Sequence, residues 1–341
     1  MISKVAFGTY NGEIVYGFIL ENEKIKVQII EYGATITKIY MKEENRDVVL
    51  GYDDLEGYIK DTCFFGSTVG RCANRIEAAN YIQGRKIVQL EKNDGENHLH
   101  GGTFGLHKKL WKGKVEGKSV ILRITCKESE DKYPGTIEIK ITVELIGEQL
   151  IFHYYAESDE DTLINLTNHS YFNLNGHNSG NIFTHYLKLN AKLFMPCRED
   201  LIPDNRICFT KDTPFDFEEL CQLEKPNDKN NEQIRICKGY DHNYIVDKSN
   251  NSLGILAEIW SEDKKVCLKI YSDAPCFQLY TGNSINNVLG KEKSIYKSYQ
   301  GICIEPQLAP NAINSPWMSS PLIKKREKYQ RIIKYQFNGG E

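Results

Sequence analysis

The sequence contains no stretch approaching the ~20 consecutive apolar residues needed to span a bilayer, which removes a helical membrane anchor from consideration. Its first residues, Met1-Ile2-Ser3-Lys4-Val5, lack the long apolar core of a secretory signal, so a cytoplasmic location is expected. A net charge of −3 gives no electrostatic reason to expect nucleic acid or an anionic membrane surface as a partner. The ten cysteines (Cys63, Cys72, Cys126, Cys197, Cys208, Cys221, Cys237, Cys267, Cys276 and Cys303) include no C-x-x-C pair. Neither a zinc site nor a thioredoxin-like dithiol is indicated by such spacing. Free thiols, mostly buried as small apolar groups, are expected instead. The sequons at Asn165, Asn168 and Asn250 are idle in a chain that is not exported.

Catalytic templates are missing too. There is no G-x-S-x-G, no G-x-x-x-x-G-K-[ST] and no G-x-G-x-x-G opening a helix. Nucleophilic, phosphoryl-transfer and dinucleotide chemistries therefore lack their usual supports.

What is present has a period of two. In 136–145, Ile137, Ile139, Ile141, Val143 and Leu145 share one face while Glu138, Lys140, Thr142 and Glu144 take the other. That is the pattern of a half-buried antiparallel strand. Similar alternation occurs at Ile25-Val27-Ile29, Val120-Leu122-Ile124, Leu253-Ile255-Ala257-Ile259 and Val266-Leu268-Ile270. The last two runs flank the polar stretch 260–265 and read as a hairpin. No convincing amphipathic helix of more than about three turns is visible. The 20 Tyr and 14 Phe also favour strands. The expectation is an all-β sandwich or barrel, organised as one domain over 1–341. Pro226–Gln233 reads as a surface loop, and Lys324-Lys325-Arg326 as a solvated turn.

Polar and ionisable residues concentrate in widely separated turns: Gly70–Arg75, Asn97–Gly102, Asn168–Leu174, Gly239–Asn243 and Gly301–Gln307. Ile302 and Ile304 share a strand face, so Cys303 and Glu305 take the opposite one, with Glu305 closing the strand before Pro306. Gln278 stands between Phe277 and Leu279 in the same way. Glu305 is then either a solvated edge carboxylate or part of a polar concave face, a setting suited to a sugar. His100 and His169 are either satisfied core histidines or acid–base groups, because imidazole titrates near ~6.5. His98 and His100, two apart, would share a strand face, which leaves a metal open.

Taken in order, the motifs resemble those of the aldose 1-epimerases (galactose mutarotases). They are Gly51–Tyr58, the G-R-x-A-N-R-I run at Gly70–Ile76, Leu99-His100-Gly101-Gly102 with Gly105 and Trp111, and Asn168–Leu174. Thr213–Phe217, Gly239–Tyr244, Gln278–Asn283 and Glu305-Pro306-Gln307 complete the series. The resemblance implies a large antiparallel β-sandwich, the galactose mutarotase-like supersandwich, with a free aldose in an open cleft. It implies Glu305 as general base and His169 as general acid, with His100 near the ring oxygen. Asn74, Arg75, Asp241 and Gln278 would hold sugar hydroxyls, with Tyr171 beside the acid. Removing the C1 hydroxyl proton while protonating O5 opens the ring, and needs no metal or other cofactor. Burial or a hydrogen bond is expected to raise the His169 pKa so that it holds a proton.

Three positions depart from the family pattern: Asp204-Asn205 after Leu201-Ile202-Pro203, Asn311 where Asp is usual, and Lys325–Tyr329 in place of P-G-E-x-Y. Rival readings are a sugar-phosphate epimerase on the same fold, a glycoside hydrolase pairing Asp241 with Glu305, and a non-catalytic sugar-binding protein. A monomer is favoured over a homodimer, and the preferred aldose is open.

Overall fold

The two-residue period becomes strands in the computed structural model, which describes residues 1–225, 231–247 and 252–339. In the strand Ile137–Ile146, Ile137, Ile139, Ile141 and Val143 are buried, Glu138 is exposed and Leu145 is half-buried. Each such aliphatic side chain contributes about 1.5–3 kcal/mol on burial, so a one-residue slip would lose the whole face. This strand belongs to a nine-stranded antiparallel sheet. Its spatial order is Lys112–Glu116, Ser119–Cys126, Ile137–Ile146, Gln149–Ser158, Tyr329–Gly339, Val266–Ser272, Gly254–Trp260, Tyr186–Leu189, Cys221–Gln222.

The first five strands, Ile2–Tyr10 to Arg46–Asp47, form a separate antiparallel meander. Phe18, Ile25, Val27 and Ile29 from the meander share one apolar cluster with Val120, Leu122, Ile139 and Ile141 of the large sheet. The two sheets are thus layered face to face, the arrangement of a β-sandwich. A second five-stranded sheet carries the polar segments, in the order Cys208–Phe209, Leu193–Met195, Asp241–Ile245, Cys276–Tyr280, Cys303–Gln307. Phe277, Leu279, Ile302 and Ile304 turn into the main core, so Gln278 and Glu305 take the opposite face of their strands.

Helices are short. Among the described residues no α-helix exceeds the six residues of Leu55–Lys60 and Glu232–Cys237. None is long and apolar enough to cross a membrane.

Several expectations change in detail. Leu253–Ile259 does not alternate throughout: the register shifts between Ile255 and Ala257, so Leu256, Ala257 and Ile259 are all buried while Leu253 is exposed. The Gly254–Trp260 and Val266–Ser272 strands do pair as a hairpin. Of the run Pro226–Gln233, residues 226–230 lie outside the described residues. Asn231 caps a helix that begins at Glu232, because its Oδ1 accepts from the backbone N–H groups of Gln233 and Ile234. Glu305 does not close its strand, which runs on through Gln307. Pro306 is tolerated because this strand is the last in its sheet and needs hydrogen bonds on one side only. Lys324, Lys325 and Arg326 are exposed around a turn, as expected. All ten cysteines are free, and seven are buried.

Candidate active site

Backbone pairing converts the scattered motifs into one cleft. Gln278 lies directly opposite Glu305 on one side and Asn243 on the other, while Asp241 pairs with Tyr280 two residues along. Three adjacent strands therefore bring Asp241, Gln278 and Glu305 together. His169 arrives from the other direction: its N–H donates to Ser67 O and its carbonyl accepts from Gly66 N–H. The neighbouring amides act as staples. Asn168 Nδ2 donates to Gly66 O at 2.8 Å, and Asn173 Nδ2 to Gly180 O and Gln300 O.

Asn74 and His100 are locked to each other. The His100 N–H donates to Asn74 O at 3.2 Å, and the Asn74 N–H donates to His100 Nδ1 at 3.1 Å. Behind them Gly101, at φ +87°, packs so tightly that a Cβ would lie 1.8 Å from Gly70 O. That single approach joins the Gly70–Ile76 and Leu99–Gly102 motifs. With Nδ1 accepting, neutral His100 carries its proton on Nε2.

Glu305, His169, His100, Asn74, Arg75, Tyr171 and Asp241 all line a cleft of about 260 Å³. This lies just below the ~300–1,000 Å³ usual for drug-sized ligands and suits a smaller polar molecule. Gln278 reaches the cleft through a neighbour, donating from Nε2 to Asp241 Oδ1 at 2.6 Å. Arg75 Nε donates to Asp94 Oδ2 at 2.7 Å. The His169 ring stacks between Tyr171 (5.0 Å, 26°) and Phe64 (5.7 Å, 24°). The Tyr171 hydroxyl is turned away, donating to Cys63 O. Asp94, Phe64 and Tyr280, to which the sequence assigns no role, also line the cleft, as does Leu201 of the Leu201-Ile202-Pro203 run. Tyr280 sits inside a motif already noted, whereas Asp94 beside Gly95 carries only a turn signal.

Electrostatics overturn one expectation. Burial pushes His169 down to about 4 rather than up, because removing water penalises the imidazolium. Its neighbour does not reverse this: Glu305 Oε1 is 3.6 Å from His169 Nε2, beyond a hydrogen bond. Burial, reinforced by the Asp241 charge, pushes Glu305 well above the ordinary carboxylate range. Its Oε2 is buried without a partner. Burial also lowers His100 well below the usual histidine range.

His98 and His100 do not share a face. The strand is only His98–Leu99, and His100 turns out of it at φ +52°. His98 is held by Glu91 O and the Tyr133 hydroxyl, both at 2.7 Å, while His100 enters the cleft. Donor atoms of His100, His169 and Glu305 lie within 4.8 Å of one another, close enough to hold a cation. Arg71 faces away, buried against Asp131 at 2.8 Å. Among the described residues Arg75 is then the single Arg or Lys lining the cleft, beside three carboxylates, Asp94, Asp241 and Glu305.

A family model described as aldose 1-epimerase matches residues 18–336. The chain belongs to the aldose 1-epimerase family. It is 35% identical to a galactose mutarotase of Bos taurus, over 94% of this chain and 93% of that one. It is 29% identical to the aldose 1-epimerase of Escherichia coli K12, over 93% of both chains. Among solved structures, a galactose 1-epimerase from Lactobacillus acidophilus superposes with a TM-score of 0.87 at 28% identity, covering 100% and 99% of the two chains. The GalM/aldose epimerase homologue from C. elegans also gives 0.87 at 28% identity, covering 95% and 98%. As an aldose 1-epimerase the protein is an isomerase on the galactose mutarotase-like fold.

Departures from the epimerase pattern fall around the cleft rather than in it. Leu201 lines the cleft, but Asn205 is exposed at φ +70° and Asp204 is paired with Arg206. Asn311 bridges Glu77, accepting from its backbone N–H at 3.0 Å and donating Nδ2 to its carboxylate at 3.2 Å. An Asp there could accept but not donate. Tyr329 is kept, and its hydroxyl accepts from Leu166 N–H.

Proposed function

We propose that this epimerase interconverts the α and β anomers of free aldohexoses such as galactose and glucose, with Glu305 and His169 exchanging protons with the substrate. The observation that carries the reading is the pairing of these two buried ionisable groups, 3.6 Å apart, at the wall of a small polar cleft. In ring opening, ionised Glu305 takes the C1 hydroxyl proton while protonated His169 supplies one to O5. The products are the open-chain aldehyde, a neutral carboxylic acid and a neutral imidazole. Rotation about C1–C2 presents the other carbonyl face, and closure returns both protons.

The burial that raises Glu305 and lowers His169 has a specific consequence in this scheme. It favours the proton arrangement that accompanies the open chain, a carboxylic acid beside a neutral imidazole. That arrangement is also the resting one, so ring opening starts from the minor form with the same single proton, ionised Glu305 beside protonated His169.

His100, with its proton on Nε2, offers a donor near the ring oxygen. Asn74, Arg75 and Asp241 present polar groups to the hydroxyls, and Gln278 orients Asp241. Tyr171 acts through its ring, fixing the plane of His169. A resident cofactor has no step to perform. A phosphorylated sugar is disfavoured because Arg75 is already engaged by Asp94 and the other charges of the cleft are negative. We further read the chain as one functional domain, with the monomer as its working unit and the cytoplasm as its location.

Polarimetry on freshly dissolved α-D-galactose and α-D-glucose tests the reading. Acceleration of the drift to anomeric equilibrium supports it, and the two rates rank the sugars. A drift equal to that of buffer for both sugars would overturn it, and activity confined to a hexose phosphate would replace it.

A further inference from the structure

A second group of ionisable side chains lies behind the cleft. Cys197 follows the strand Leu193–Met195, Cys237 ends the helix Glu232–Cys237, and His242 lies in the strand Asp241–Ile245. All three are buried, and one donor atom from each falls within 4.8 Å of the others. The group has no role in the proton transfers proposed above.

The donors are held by the fold. Gln233 clamps the Cys197 backbone, accepting from its N–H at 2.6 Å and donating Nε2 to its carbonyl at 3.0 Å. The His242 ring packs edge-on against Phe215 at 4.6 Å. Cys237 Sγ is 3.5 Å from His242 Nε2, and the two thiols lie 3.7 and 3.8 Å from Asp241 O. Metal–sulfur bonds of ~2.3 Å and metal–nitrogen or –oxygen bonds of ~2.0–2.2 Å at tetrahedral angles put donors about 3.5–3.8 Å apart. The three measured separations match that frame. The Cys197–Cys237 and Cys197–His242 pairs need close by no more than about 1 Å to reach it.

We propose that Cys197, Cys237, His242 and the Asp241 carbonyl form a binding site for a thiophilic divalent cation, such as Zn²⁺ or Co²⁺, whose filling weakens the hold of Asp241 on sugar. Two thiolates neutralise the ion, so the buried site takes on no net charge, and binding releases two protons to solvent. In the empty site the Asp241 N–H donates to His242 Nδ1 at 3.1 Å, which leaves the ring proton on Nε2. Coordination through Nε2 moves that proton to Nδ1, and the bond from Asp241 is lost. The sugar-facing aspartate is thereby coupled to the metal through its own backbone.

Titration with Co²⁺ in a non-chelating phosphine reductant tests this. One equivalent should give the intense sulfur-to-cobalt absorption of a tetrahedral thiolate site. That band should vanish in Cys197→Ala and in Cys237→Ala but survive in Cys63→Ala. Far-ultraviolet circular dichroism would show whether each variant is folded. Cobalt absorption without the sulfur band assigns the ion to His100, His169 and Glu305, whereas a sulfur band that persists in the Cys197→Ala variant assigns it to other thiols; either result overturns the site. A disulfide joining Cys197 and Cys237 in the reduced protein also overturns it. The kinetic arm rests on the proposed sugar reaction, whereas the spectroscopic arm does not. Cobalt should raise the sugar KM severalfold in the wild type at constant kcat, and an unchanged KM with the band present would overturn the coupling.

Discussion

Glu305 Oε1 sits 3.6 Å from His169 Nε2, near enough to share a substrate and too far to hydrogen-bond directly. The gap leaves each group without the partner that would neutralise the effect of burial. A sugar hydroxyl and a ring oxygen can then take that place. The first expectation follows directly. Glu305→Gln keeps the shape but cannot accept a proton, so kcat should fall by about 10²–10⁴ while sugar binding changes little. His169→Asn should behave similarly. Polarimetry gives kcat and equilibrium titration with galactose gives affinity; retained turnover in Glu305→Gln would sink the assignment of the base.

The pH profile should carry inverted assignments. In the proposed scheme the pair works with one proton between its two groups. That proton is joined by a second below the lowered His169 pKa of about 4, and is lost above the raised pKa of Glu305. kcat/KM should therefore fall on the alkaline side because Glu305 ionises and on the acid side because His169 protonates. The alkaline limb should shift in Asp241→Asn, since the Asp241 charge helps to raise Glu305. An alkaline limb unmoved by that change would separate Glu305 from it.

Asp94 tests the positioning of Arg75. The pair is partly exposed, and such pairs are worth about 0–1 kcal/mol, so Asp94→Asn should raise KM by up to about fivefold at unchanged kcat. A loss of kcat with KM unchanged would place Asp94 in the chemistry instead.

Acid should unfold the protein early. Burial lowers His107 and His242 to about 3, and His169 and His185 to about 4. In each case the unfolded chain binds a proton that the folded chain refuses between about pH 4 and 6.5. Stability from each is present above ~6.5 and is lost at about 1.4 kcal/mol per unit as pH falls through that window. Asp61, Asp131, Asp241 and Glu305, all raised by burial, oppose this, because the folded state retains their protons longer. His98, His100 and His177 are lowered as well, which sets seven histidines against four carboxylates. Urea midpoints should drop steadily from pH 7 to 5; a flat profile would contradict neutral burial of these rings.

Chelation should leave the reaction untouched. His100, His169 and Glu305 could hold a cation, yet the proposed proton transfers use none. At saturating sugar, polarimetry after exhaustive dialysis against a chelator should give the kcat of the untreated enzyme. Loss of activity restored by Zn²⁺ would replace the metal-free scheme.

Much of this was readable from residue order. The alternation at Ile137–Val143 announced the sandwich, because a side-chain period of two admits little else over so many residues. Opposite parity of Ile304 and Glu305 placed the carboxylate on the polar face. What was not readable depends on distances across the fold. Burial looked like a reason for His169 to keep a proton, yet the sign depends on whether a carboxylate comes within hydrogen-bonding range, and Glu305 does not. His98 and His100 seemed to share a face because nothing local reveals the positive φ of His100. Cys197, Cys237 and His242 form a group that spacing alone could not suggest. Asp94 reaches Arg75 from a turn with no distinguishing mark.

Asn165 and Asn168 lie in the sequons N-L-T and N-H-S, and each is 1% exposed. Asn168 Nδ2 is committed to Gly66 O, and Asn165 Nδ2 reaches Ala73 O and Leu308 O. In a eukaryotic secretory host, oligosaccharide would be transferred to these nitrogens while the chain was still extended. A glycan on Asn168 would then occupy the position of the hydrogen bond that seats His169, leaving no folded state able to contain it. Yield of active enzyme by that route should depend on changing the two sequon hydroxyl residues, Thr167 and Ser170, whereas bacterial expression faces no such obstacle.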